Sequence, residues 1–196
     1  MRAAVAVLAV LVEIDRGSPP ALGGIDRSWR ELTLDAPSWL GSASRVLKVL
    51  GSGAVMVPLR IAVAIWLLAR RRRHDLAAWL LAWALADAIT FVLKPWVGRL
   101  RPDGADAASF PSAHAKTAAQ VAIGLVLLRP SPCRSRAGGW LLAVAWIVAI
   151  ALSRTVLDEH WLSDVAAGSL LGAGCAIGVA TIVQRRSEMR PRASTC

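Results

Sequence analysis

The sequence predicts an all-α protein, a six-transmembrane-helix bundle with one or two interfacial amphipathic helices, and three observations carry that expectation. Hydrophobic residues make up 56% of the 196-residue chain and its mean hydropathy is +0.51. They gather in runs too long for a soluble core. The net charge of +10 is concentrated at 70–73, 129–136 and 185–192, each cluster following an apolar span, as loops retained on the cytoplasmic side do. The length suits one domain over residues 1–196, and neither a repeat nor a low-complexity linker divides it.

The elements follow in order. Residues 1–14 hold an apolar run that lacks the small-x-small cleavage site of a signal peptide, and Glu13, Asp15 and Arg16 close it, so it is expected to stay as the first helix. Its rise of about 18 Å is less than a roughly 30 Å hydrocarbon layer, which implies tilt, local thinning or a truncated start. Ile25, Trp29 and Leu32, then Ala43, Val46, Leu47 and Leu50, recur at helical spacing among charged residues, with Asp35, Ala36 and Pro37 between the two sets. That pattern fits amphipathic helices in the headgroup layer, with a packed loop as the alternative. Further spans are expected at 52–69, 75–93, 115–128, 138–153 and 161–183.

With the basic loops in the cytoplasm, both termini lie there, including a basic tail at 185–196. Three polar clusters then reach the extracytoplasmic face together. The positive charge does not indicate nucleic acid, because a binding stripe would be interleaved with polar residues on a soluble surface. Cys133 in a basic loop, Cys175 in an apolar span and Cys196 at the terminus offer neither a disulfide nor a metal set.

The three clusters are Lys94-x6-Arg101-Pro102, Pro111-Ser112-Ala113-His114 and Ser153-Arg154-x5-His160-x3-Asp164. Lys94 and Arg101 can face one point across a stretch that Pro95 and Gly98 make irregular, although cations at helix ends commonly just snorkel to the interface. Ser112 stands at an expected N-cap, which would leave the amides of Ala113, His114 and Ala115 positive and suited to an anion; an ordinary cap is the plainer alternative. His160 and Asp164, spaced i to i+4 on the opening turns of the last helix, would let the carboxylate accept Nδ1–H and leave Nε2 as a nucleophile. Arg154 adds a planar fork for phosphate oxygens. A lone His-x3-Asp pair is more often a surface ion pair. An aspartate near a membrane-helix end, opposite three cations, shifts the balance toward a phosphate site.

In order and spacing these clusters resemble the signature of the type 2 phosphatidic acid phosphatase superfamily, over residues 94–164. The resemblance implies that His160 forms a phosphohistidine, Asp164 orients it, and His114 protonates the leaving group. It implies that Lys94, Arg101, Ser112 and Arg154, with the amide of Ala113, bind phosphate. Ala113 departs from the glycine usual at its position, which bears on how closely the amide can approach. No metal or other cofactor is implied, because three cations supply the charge that magnesium brings elsewhere.

The expected function is a membrane lipid phosphate phosphatase, acting on a polyprenyl diphosphate, phosphatidic acid, phosphatidylglycerol phosphate or a prenyl-linked sugar phosphate. The first is favoured by family-level analogy. A non-catalytic lipid-phosphate binding or flipping protein is the competing class; it would lack a nucleophile or acid, and both histidines are present. Two charges stand outside the signature. Arg60 and Asp87 lie at matching depths on antiparallel spans, so an ion pair between them is expected, with Arg60 snorkelling outward as the alternative.

Overall fold

The structure is a computed structural model that describes residues 21–129 and 133–188, so the helix expected over 1–14, the end of the basic tail and Cys196 lie outside the described residues. Seven helices and no strand occur among the described residues: α1 (Ala21–Leu34), α2 (Ser38–Leu50), α3 (Gly53–Ala69), α4 (Arg73–Val97), α5 (Ala113–Leu127), α6 (Cys133–Val156) and α7 (Leu162–Glu188). Three are long and apolar enough to cross a membrane, over Arg73–Val97, Ala137–Val156 and Leu162–Arg186. A fourth span arises if α2 and α3, bent by 42° at the break between them, count as one. The protein is therefore an all-α membrane bundle.

The bundle is arranged around α5. This helix has 15 residues and rises only about 22 Å, yet it buries Ala115, Lys116, Ala118, Ala119, Gln120, Val121, Ile123, Gly124 and Val126. It packs chiefly on α7 and α6. A helix sheathed by others does not have to match the hydrocarbon thickness, because its neighbours, not lipid, meet its ends.

Close approach of α5 and α7 depends on Gly168 and Gly172, one turn apart on α7. A Cβ at the first would run into the Ser112 carbonyl, and one at the second into the Lys116 carbonyl. Small residues at i and i+4 let membrane helices touch backbone to backbone. The contact sets the two helix starts side by side, and Ser112 N donates to the Asp164 carbonyl at 3.1 Å.

The helices at 21–50 are amphipathic in a sense opposite to that of a soluble protein. Ile25, Leu32, Val46 and Val49 are exposed, whereas Asp26 and Ser44 are buried. Asp26, Trp29, Arg30 and Thr33, at i, i+3, i+4 and i+7, form the inward stripe of α1. The apolar face is free for lipid and the polar face is turned onto the ends of α6 and α7.

Other boundaries differ from expectation for local reasons. α4 continues through Pro95 and stops at Gly98, whose left-handed conformation (φ 60°) caps it with an N–H to the Lys94 carbonyl at 3.0 Å. Cys133 opens α6 and does not sit in the preceding loop. The basic turn after α3 lies at the same end as the end of α5: Arg72 Nη1 donates to the Leu128 carbonyl at 2.9 Å. That end is opposite the polar clusters.

Candidate active site

The segment that carries Arg154 and His160 is shaped by the end of α6. Glu159 N donates to the Arg154 carbonyl at 3.1 Å and Asp158 N to the Thr155 carbonyl at 3.0 Å, with Asp158 at φ 56°. These are the bonds of a Schellman turn with aspartate in the place that glycine usually takes. Arg30 holds the Asp158 carboxylate with two bonds of 2.7 Å. The turn brings His160 back beside Arg154, but His160 precedes α7, which starts at Leu162. The expectation of a histidine on the helix itself is corrected: the chain turns in before the helix begins.

Asp164 lies in the first turn of α7 and is fully buried. Its Oδ2 accepts from Trp161 N at 3.0 Å and from Ser109 Oγ, and its Oδ1 accepts from Arg99 Nη1 at 2.7 Å. His160 Nδ1 stands 3.6 Å from Oδ2, beyond hydrogen-bond length. The direct Nδ1–H bond expected from the spacing is therefore replaced. Ser109 Oγ lies between the two, 3.4 Å from Nδ1.

Ser112 is at the N-cap of α5, yet its hydroxyl makes no cap bond. The notion of an ordinary capping serine fails here. Four buried side-chain atoms among the described residues have no hydrogen-bond partner: Ser112 Oγ, Arg154 Nε, Arg154 Nη1 and Arg60 Nε. Three of them belong to residues that the sequence assigned to phosphate. Buried donors left this way cost about 1–3 kcal/mol each unless a ligand takes them up. The first amides of α5 are those of Ala113 and its successors, so a helix N-terminus faces the same place.

The other cations have local partners. Lys94 Nζ donates to the Ala108 carbonyl. Arg101 Nε pairs with Asp106 Oδ1 at 2.8 Å, and its Nη1 donates to the Glu159 carbonyl at 3.4 Å. The guanidinium and the Ala108 N–H hold the Asp106 carboxyl below its usual range. Arg154 Nη2 and Lys48 Nζ both grip the carboxylate of Glu159.

Burial, reinforced by the charges of Arg154, His160, Lys48 and Arg101, pushes the His114 imidazole down to about 3. Burial also lowers His160, against the opposing pull of Asp164. Both rings are neutral at pH 7 in this state, which suits a nucleophile with a free Nε2.

All eight residues singled out by sequence gather at one end of the bundle. Reading by clusters missed Arg99, Ser109, Asp26, Ser163 and Glu159. Asp26 had a signal in the polar stripe of α1, and the close helix contact had one in Gly168-x3-Gly172. Arg99 and Ser109 had none, since a third arginine and a loop serine are distinguished only by what they touch.

A buried guanidinium with unpartnered donors, two helix N-termini and a histidine beside a carboxylate lie together at one end of a membrane bundle. The PAP2 superfamily model matches residues 75–188, and the chain belongs to that superfamily. Decaprenylphosphoryl-5-phosphoribose phosphatase of Mycobacterium tuberculosis is 36% identical over 176 residues, covering 81% of this chain and 89% of that one. Phosphatidylglycerophosphatase B of Bacillus subtilis is 29% identical over 143 residues, covering 68% and 70%. The crystal structure of a transmembrane PAP2-type phosphatidylglycerolphosphate phosphatase from Bacillus subtilis superposes with a TM-score of 0.82 at 24% identity, covering 96% of this chain and 98% of that one. The protein is thus a phosphate-ester hydrolase of the membrane.

Proposed function

We propose that the protein hydrolyses the terminal phosphate of a lipid phosphate or diphosphate through a phosphohistidine on His160. The observation that carries this reading is the buried Arg154, with two nitrogens unpartnered, beside the His160–Asp164 pair. In the first step Nε2 of His160 attacks phosphorus, a P–N bond forms and the P–O bond to the lipid breaks. The departing oxygen takes a proton from His114. In the second step water attacks phosphorus, its proton passes to His114, and the P–N bond breaks to release phosphate. Lys94, Arg101, Arg154, Ser112 and the Ala113 amide hold the phosphoryl oxygens and oppose the charge that grows on them.

His114 must be protonated to act as an acid, and in the free site it is neutral. A bound phosphate offsets the repulsion from Arg154, Lys48 and Arg101, so binding itself raises the imidazole toward protonation. The reading needs no metal, because the cations are supplied by the chain. The remaining layout follows the charge pattern: six spans including the one expected over 1–14, both termini cytoplasmic, and the site on the extracytoplasmic face. Prenyl-linked substrates rank first, either a polyprenyl diphosphate or a prenyl-linked sugar phosphate such as the Mycobacterium relative's name describes. Phosphatidylglycerol phosphate and phosphatidic acid follow.

Phosphate release from a panel of these lipids by purified protein in detergent tests the function and orders the substrates. Radiolabelled phosphate should be trapped on wild type and not on His160→Ala, whose turnover should fall by at least about a thousandfold. Near-native release by that variant sinks the mechanism. Binding without release on every lipid supports a binding or flipping protein instead. Vanadate should inhibit and EDTA should not; a strict requirement for magnesium contradicts the all-cation site.

A further inference from the structure

We infer that Asp26, on the lipid-facing amphipathic helix α1, acts through Arg99 as a positioning residue for Asp164, so that the docking of α1 is part of the hydrolytic machinery. The inference rests on the reading of His160 as the nucleophile.

Two buried carboxylates share one guanidinium. Arg99 Nη1 meets Asp164 Oδ1 at 2.7 Å and Nη2 meets Asp26 Oδ2 at 2.8 Å. Asp26 is 2% exposed and Asp164 is 0% exposed, though they come from opposite ends of the chain. Ser163 completes the link: its hydroxyl accepts from Arg99 at 2.6 Å and donates to Asp26 Oδ2 at 2.6 Å. Its backbone N–H donates to Asp26 Oδ1 at 2.9 Å, so Asp26 also caps the start of α7 from another helix. A buried aspartate placed only to anchor α1 would need one of these partners. All three of the bonds described for it run to Arg99 and Ser163, which touch or adjoin Asp164.

The charge balance gives the arrangement a purpose. Asp164 has to present negative charge to the imidazole at 3.6 Å, both to orient it and to stabilise the phosphorylated ring. Arg99 bonded to Asp164 alone would cancel that charge. Asp26 takes half of the guanidinium, so the trio keeps one net negative charge beside His160. The other charges around His160 do not supply it. Lys94 from α4, Arg101 from the following loop and Arg154 from α6 are positive. Arg30 of α1 is matched by Asp158, and Lys48 of α2 by Glu159. His114 of α5 is neutral.

The test uses full-length protein in detergent and compares two near-isosteric changes. Asp26→Asn leaves the whole of the Arg99 charge to Asp164; kcat should fall about tenfold with KM within about twofold, and the acid limb of kcat/KM should move to lower pH. Arg99→Gln removes the cation next to Asp164, so its acid limb should move to higher pH. Each displacement is expected at about half to one pH unit. Asp26→Glu should restore the limb toward wild type.

Displacements of opposite sign cannot come from loosened packing, which would move both variants alike. Shifts in the same direction, or none, overturn the inference. The 13Cε1 resonance of His160, one of three histidines, reports the same titration without turnover. It decides the matter even if His160→Ala stays active and the hydrolytic reading fails. Should Arg99→Gln not fold, Arg99→Lys keeps the charge but cannot span both carboxylates; wild-type kcat in that variant also overturns the inference.

Discussion

Arg154 is 2% exposed and two of its guanidinium nitrogens have no hydrogen-bond partner; Arg60, deeper in the bundle, is 3% exposed and two of its three guanidinium nitrogens are taken. Arg60 Nη1 lies 3.3 Å from Asp87 Oδ2 and Nη2 reaches Gln120 Oε1. Its face lies over Trp83, 4.7 Å from the ring centroid. Asp87 also accepts from Trp83 Nε1 and from Lys116 Nζ. The ion pair expected from matching depths is present, and it has a third charged member, Lys116, which is 4% exposed.

The two clusters use the same residue types with different outcomes. The deeper one is paired among residues of three helices, with the Asp87 side chain 44% exposed and Arg60 Nε left over, since an unpaired charge in hydrocarbon would cost about 3 kcal/mol or more. At the bundle end, donors are held rigid and left open. Closure serves insertion and packing; openness serves a ligand that brings its own charge. The nearest cavity to the deeper cluster, about 250 Å³ and lined by Arg60, Trp83 and Gln120 among others, extends away from the site toward His74, Asp75 and Gln184. The crevice beside His160, lined by Asp26, Trp29, Arg30 and Trp161, has almost no free volume. The largest density of unpartnered donors and the roomier cavity therefore fall in different parts of the molecule.

The strongest test of the contrast exchanges arginine for alanine at the open cluster. Arg154→Ala should lower kcat/KM about a thousandfold, roughly 4 kcal/mol, while the melting temperature changes little or rises, since it removes buried unpaired donors. A large fall in stability with modest loss of activity would mean that Arg154 is a structural residue like Arg60.

At the closed cluster the effects should reverse. Asp87→Leu strands both Arg60 and Lys116 and should destabilise by about 3–5 kcal/mol. Arg60→Leu leaves the Asp87–Lys116 pair and should cost clearly less. Arg60→Leu with Asp87→Leu still leaves Lys116 alone, so thermal melts in detergent should show incomplete recovery. Full recovery would mean that Lys116 does not share the carboxylate.

Proton linkage separates the clusters further. The fold keeps His114 neutral, with its folded value near 3 against 6.5 when unfolded, so the unfolded chain binds the proton first as pH falls. Stability present above pH 6.5 should drain away between about 6.5 and 3, and His114→Ala should flatten that slope. The same variant should lose less activity on a nitrophenyl phosphate than on a lipid alkoxide, which needs the proton. Equal losses would assign His114 to binding.

The smallest expected effect is at Glu159, whose carboxylate occupies Arg154 and Lys48 as a phosphate would. Glu159→Gln should tighten vanadate inhibition several-fold by removing an internal competitor. Weaker inhibition would show that Glu159 orders the cations.

Much of this was legible in the chain itself. The apolar runs and the basic loops define a helical membrane bundle, because hydrocarbon admits only segments whose backbone groups are satisfied internally. Lys94, Arg101, Ser112, His114, Arg154, His160 and Asp164 stand out at span ends as residues that belong together, and the structure gathers them at one end of the bundle. The sequence even determines that Arg60 and Asp87 must meet something. Tertiary structure alone decided which atoms do the meeting. Lys116 joins Asp87, Arg99 joins Asp164 to Asp26, and Ser109 stands between Asp164 and His160, because these contacts link residues 29 to 73 positions apart or lie in a loop without periodicity. Local pattern fixes which face a side chain occupies; which face it meets depends on helix packing, here on two glycines that bring α5 and α7 within backbone contact.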